Sequence, residues 1–142
     1  MVTAGQLLDR KPRALYTIET EDPVLEAIQL MAQHSVGALL VMKGARLEGI
    51  VSERDYARKV ILMGRNSAET PVWQIMSSPV LTVTPVQSVD HCMQLMTQKR
   101  VRHLPVVEGE RVLGMLSIGD LVRAVLEEQQ RTIEDLEQYI RS

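Results

Sequence analysis

Two stretches of this chain are diverged copies of one another, and no other feature limits its fold as much. VGALLVMKGARLEGIVSERDYARKV, from Val36 to Val60, aligns without a gap on VRHLPVVEGERVLGMLSIGDLVRAV, from Val101 to Val125. The offset is a constant 65 residues, pairing Leu39 with Leu104, Val41 with Val106, Gly44 with Gly109 and Arg46 with Arg111. Gly49 then meets Gly114, Ser52 meets Ser117 and Asp55 meets Asp120. The register continues upstream through Thr17/Thr82, Val24/Val89, Gln29/Gln94, Leu30/Leu95 and Met31/Met96. A duplication this regular has to be read before any short motif.

Each copy reads strand, helix, strand, strand, helix, so the pattern predicts a mixed α/β (α+β) fold of two βαββα repeats. In the first, Tyr16-Thr17-Ile18 is a short strand, and Pro23 opens a helix carrying Val24, Ala27, Ile28 and Met31 at helical spacing. Ala38 to Met42 is a buried strand, Lys43 to Arg46 a turn, and Leu47 to Val51 the antiparallel return. A helix then runs from Glu53 to Met63 and stops at Gly64. The second copy predicts strand Val80–Val83, a helix from Val86, strand His103–Val107, a turn at Glu108-Gly109-Glu110, strand Val112–Leu116 and a helix from Ile118. The chain thus divides into an N-terminal segment 1–15, a first repeat 16–64, a linker 65–79, a second repeat 80–127 and a helical extension 128–142. In the linker, VWQIM reads as a helical turn, and before Pro12 a short helix turns Leu7 and Leu8 inward. A unit of ~46 residues is too small to bury a stable core alone. Two units related by a pseudo-two-fold axis are expected to cover each other and to leave clefts near their strand-to-helix turns.

Composition narrows the class. With 142 residues, 45% of them hydrophobic, the chain is long enough for a real core. It has no Phe, one Trp and three Tyr, so that core is aliphatic with Met filling gaps, and stacking platforms for single-stranded nucleic acid are missing. A net charge of −2 gives no basic footprint for duplex DNA or an anionic membrane. Cys92 is the only cysteine and lies on an apolar helical face, which excludes an internal disulfide and a cysteine zinc site. There is no membrane-length apolar run and no signal peptide, so a cytoplasmic protein is expected.

The repeated Ser-x-x-Asp falls where the last helix of each copy begins. By spacing it is a capping box, in which the serine caps the helix and the third residue reaches back. That box favours Glu or Gln, since Asp is short for reaching the cap amide. The other reading is ribose recognition: a carboxylate at a helix start accepts hydrogen bonds from both hydroxyls of a cis-diol. Each charge-assisted bond contributes about 1.5–3 kcal/mol. Helix-end amides suit a phosphate, and Arg58 and Arg123 stand three residues past Asp55 and Asp120.

The segments GIVSERD and GMLSIGD, with RHLPVV before the second hairpin, resemble a tandem pair of cystathionine-β-synthase-type (CBS) domains. The resemblance covers Tyr16 to about Leu126, and GIVSERDYARKV with RHLPVV resembles small stand-alone bacterial proteins consisting of little beyond the pair. It implies a regulatory module for an adenosine-containing ligand: AMP, ADP, ATP, NAD(H) or S-adenosylmethionine, with no catalytic cofactor. It also implies that Ser52 and Asp55 belong to one site and Ser117 and Asp120 to the other, with the hairpin-entry strand, Pro105 included, framing the adenine. Arg102 and His103 stand where the first copy has Gly37 and Ala38, so a basic pair faces phosphate in one site only. Glu53-Arg54 against Ile118-Gly119 adds to that asymmetry.

Past the second repeat, Val122, Leu126, Gln129, Ile133, Leu136 and Ile140 are spaced 4, 3, 4, 3, 4, a heptad seam broken by one Gln. No Gly or Pro interrupts the chain from Asp120 to Ser142. The expected use is a homodimer seam or a docking helix for a regulated partner protein, rather than a helix folded back on its own domain. No Walker loop, nucleophile elbow or HExxH appears, and His34, His91 and His103 lack companions at metal-ligand spacing. An enzyme is therefore not expected; the competing class is a ligand-free scaffold acting through the last helix.

Overall fold

A computed structural model describes residues 2–12 and 14–141 of the chain. In chain order the elements are α1 (Ala4–Asp9), β1 (Thr17–Glu19), α2 (Val24–His34), β2 (Ala38–Lys43), β3 (Arg46–Ser52) and α3 (Glu53–Tyr56). They continue with α4 (Val89–Lys99), β4 (His103–Glu108), β5 (Arg111–Ser117) and α5 (Ile118–Arg141). The chain forms two units, one of Ala14–Leu81 and one joining Met1–Arg13 to Thr82–Ser142. Each repeat therefore recruits a segment from outside itself: the first takes the linker, the second takes the N-terminal helix.

In the first unit β1 pairs parallel with β2, and β2 pairs antiparallel with β3. The whole Ala38–Val41 run is buried, as an uninterrupted apolar strand must be when both its faces are covered. Its core joins Ile18, Val24, Ala27, Met31, Leu39, Val41, Val51 and Val60 to Val72 and Ile75, which the linker's 3-10 turn at Val72–Gln74 supplies. The hairpin turns through Gly44-Ala45 between paired Lys43 and Arg46, with Gly44 at φ 60°. Its counterpart Gly109 has φ 62° between Glu108 and Arg111. Two-residue hairpin loops require such left-handed backbone, which only glycine adopts without strain.

A second repeated glycine serves a different need. A Cβ at Gly49 would stand 2.7 Å from Met76 Sδ and 2.8 Å from the Ser77 carbonyl oxygen. Ser77 pairs there with Ile50, its amide 2.8 Å from the Ile50 carbonyl. A Cβ at Gly114 would stand 2.7 Å from Leu8 Cδ2. The recurring glycine is thus where each hairpin accepts its recruited segment.

Three sequence expectations change. The helix from Glu53 is α-helical only to Tyr56 and widens into a π turn over Ala57–Ile61, before Gly64 ends it at φ 67°. The wider turn buries Val60 while Lys59 bonds the Ile75 carbonyl at 2.9 Å. Strand Val80–Val83 contracts to a bridge between Val83 and Val106, because prolines bound the segment and Thr84 turns it by donating to Gln87 Oε1 at 2.8 Å. The following helix begins at Val89 rather than Val86, since Ser88 caps it through the His91 amide and leaves Val86 exposed. By contrast α1 forms with Leu7 and Leu8 buried, and α5 is one 24-residue helix.

Candidate serine–aspartate sites

β3 and β5 each deliver a serine to the first turn of the following helix. Ser52 Oγ accepts from the Asp55 amide at 3.1 Å, and Asp55 Oδ2 accepts from the Ser52 amide at 2.9 Å and its hydroxyl at 3.0 Å. In the second unit Ser117 Oγ accepts from the Asp120 amide at 3.2 Å, and Asp120 Oδ2 accepts from the Ser117 amide at 2.8 Å. Aspartate therefore does close a capping box here, contrary to the expectation that it is too short. An extended serine, at φ −127° and ψ 165° for Ser52, brings its amide down to the shorter carboxylate.

The hairpin register gathers the other candidates around these helix starts. Ala38 pairs with Ser52 and His103 with Ser117. The Gly37 carbonyl accepts from the Glu53 amide at 3.1 Å, and the Arg102 carbonyl accepts from the Ile118 amide at 2.9 Å. With the Ser52, Asp55, Ser117 and Asp120 amides already bonded, the Arg54 and Gly119 N–H groups are the ones left at these two helix starts among the described residues. A Cβ at Gly119 would find only Ser117 Oγ, 3.6 Å away, so the backbone there is open to approach. The Arg102 side chain is exposed and His103 is half-buried. Pro105 is buried and its carbonyl accepts from the Val83 amide at 3.0 Å, so it belongs to the frame beneath the site. Arg58 and Arg123 are exposed on the helix past each aspartate.

Each aspartate also carries a lysine that sequence reasoning did not assign. Lys59 Nζ lies 3.3 Å from Asp55 Oδ1, four residues along the same helix. Lys11 Nζ lies 2.7 Å from Asp120 Oδ2 and donates to the Met115 carbonyl at 2.9 Å. The i,i+4 spacing of Asp55 and Lys59 could have been read from the chain; nothing in the sequence joins Lys11 to a residue 109 positions away. Burial pushes the Asp120 carboxyl up, but the Lys11 hydrogen bond and charge and the Ser117 bonds outweigh it and hold it below its ordinary value. Burial likewise pushes the Cys92 thiol up, which keeps it an unreactive core residue. Among the described residues no His/Cys/Asp/Glu group could hold a metal ion, and no helix is long and apolar enough to cross a membrane.

A family model for the CBS domain matches the chain twice, over residues 5–62 and 72–127. The mitochondrial CBS domain-containing protein CBSX3 of Arabidopsis thaliana is 47% identical over 126 residues, 85% of this chain and 61% of that protein's length. A solved structure of a putative signal-transduction protein with CBS domains from Burkholderia ambifaria superposes with a TM-score of 0.87 at 50% identity, covering 90% of this chain and 96% of that one. The CBS domain protein PAE2072 of Pyrobaculum aerophilum, solved complexed with AMP, superposes at 0.78 with 26% identity, over 89% and 97% of the two chains.

Proposed function

The chain belongs to the CBS-domain family, and on that premise we propose that it is a non-catalytic sensor of adenosine-containing ligands. The observation that carries this reading is the recurrence, in two units, of a partly buried aspartate fixed at a helix start by its own serine. A carboxylate already oriented by the fold loses little freedom when a diol docks on it, so more of each hydrogen bond contributes to affinity. The AMP bound to the Pyrobaculum relative supports a ligand of this class. In the second unit Arg102, Arg123 and the Gly119 amide supply the phosphate side. In the first, Arg58 and the Arg54 amide do so beside Glu53, an unfavourable neighbour for an anion. The two sites therefore differ in affinity, and the second favours phosphorylated ligands. Signalling proceeds through α5, because Asp120 lies in the first turn of the same helix that carries the exposed seam.

A ligand-free interaction scaffold is the second reading, favoured by the exposure of Leu126, Ile133, Leu136 and Ile140 and by Lys11 already seated on Asp120. Titration calorimetry with AMP and with its 2′-deoxy analogue separates the two. A sensor using the diol binds AMP and binds the deoxy analogue about tenfold or more weakly, the loss of roughly one charge-assisted hydrogen bond. A scaffold binds neither, and equal affinity for both nucleotides removes the ribose from the account.

A further inference from the structure

Among the described residues, the last two-thirds of α5 is exposed to solvent. Leu121 and Ala124 are its buried residues, and from Leu126 to Arg141 every residue is exposed. The seam Val122, Leu126, Ile133, Leu136 and Ile140 lies on another side of the helix from the buried pair, and these five are between 41% and 79% exposed. The helix is ~36 Å long, and its exposed portion would be marginal alone in water. Its base is tied by Arg10 to Glu127 at 3.5 Å, which leaves the seam itself uncovered.

We propose that this seam pairs with the α5 of a second copy, and that the two helices run antiparallel about a centre between Gln129 and Ile133. Pairing of α5 is independent of what occupies the serine–aspartate sites. In that register Val122 faces the partner's Ile140, Leu126 faces the partner's Leu136, and Gln129 faces the partner's Ile133. Each contact occurs twice by symmetry. Polar Gln129 meets an isoleucine stem and the helix flank, where its amide reaches solvent. A parallel pair would instead stack Gln129 on its own copy in the middle of the seam.

The flanking positions decide between the two directions. Antiparallel, Arg123 stands beside the partner's Glu137 at both ends, and Val125 packs beside the partner's Tyr139. Gln130 and Thr132 each meet their own copies at the centre. Parallel, the same flanks set Val125 beside the partner's Gln130 and Thr132 beside the partner's Glu137, with neither charge complementarity nor an apolar contact. Opposed helix dipoles favour the antiparallel arrangement as well. The acidic run of Glu127, Glu128, Glu134, Asp135 and Glu137 falls outside the seam and keeps it from closing on an acidic surface.

Single-cysteine cross-linking of the full chain reads the direction directly. Gln130→Cys and Thr132→Cys lie at exposed positions and should form interchain disulfides on mild oxidation, while Gln129→Cys should cross-link at least about tenfold less efficiently. Buried Cys92 leaves the unsubstituted chain as a silent control. Light scattering at micromolar concentration should show a dimer, and Ile133→Asp with Leu136→Asp should raise its dissociation constant about a hundredfold or more. Efficient linkage at Gln129→Cys with none at Gln130→Cys identifies a parallel pair and overturns the register. A monomeric unsubstituted chain, whether bare or with α5 held by another protein or surface, overturns self-pairing. A dimer untouched by the double substitution places the interface away from α5 and overturns it equally.

Discussion

Lys11 and Lys59 give two chemically equivalent aspartates two different partners, and the difference has a measurable consequence. Asp55 faces a lysine of its own helix, whereas Asp120 accepts a 2.7 Å bond from the N-terminal segment. The folded Asp120 carboxyl lies below its ordinary value, so its pairing stabilises the protein fully above that ordinary value. The contribution fades as pH falls through the lower, folded value. Lys11→Met should therefore cost about 1 kcal/mol at neutral pH, modest because the pair is partly solvated. The cost should shrink toward zero in acid. Urea unfolding of both proteins across that range checks it, and a pH-independent difference would mean that Lys11 acts through its methylene stem. For a ligand the same bond is an obstacle, since a diol on Asp120 has to share Oδ2 with an ammonium or use Oδ1.

At the scale of elements, the repeated glycines distinguish the two recruited segments. Alanine at Gly49 would press on the Ser77 carbonyl, which Ile50 holds in place, as well as on a flexible methionine. Alanine at Gly114 would press only on the Leu8 side chain, which can shift more readily than a hydrogen-bonded backbone carbonyl. Gly49→Ala should cost about 3 kcal/mol and Gly114→Ala about 1 kcal/mol. Paired denaturation midpoints will show the first well below the second; equal costs would mean that the linker crosses its hairpin no more rigidly than α1 does. Elements with strong periodicity or an unbroken apolar run, such as α2, β2 and α5, were legible in the chain. Val80–Val83 was not, because one bridged residue between prolines keeps the composition of a strand without its ladder. The π turn after Tyr56 was equally hidden, since Val60 and Lys59 fit an ordinary helical spacing until the core and the Ile75 carbonyl pull on them.

At the scale of the whole molecule, the constant 65-residue offset announced two units of one fold, and the Ser-x-x-Asp pair marked the equivalent helix starts where the ligand sites are proposed. The partition of the remaining chain could not be read the same way. Leu8 against Gly114 and Lys11 against Asp120 are contacts between residues more than a hundred positions apart, with no periodic signal to connect them. At the candidate sites the placing of the carboxylates and cap serines at the helix starts was legible, and the lysines that pair with those carboxylates were not. We propose that those two carboxylates hold a ribose, and calorimetric titration of AMP into the unsubstituted chain, Asp55→Ala and Asp120→Ala decides it. Each substitution should weaken its own site about tenfold or more, or roughly 1.4 kcal/mol, and leave the other site measurable. Unchanged affinity in both variants would contradict the account and leave the two aspartates as helix caps alone.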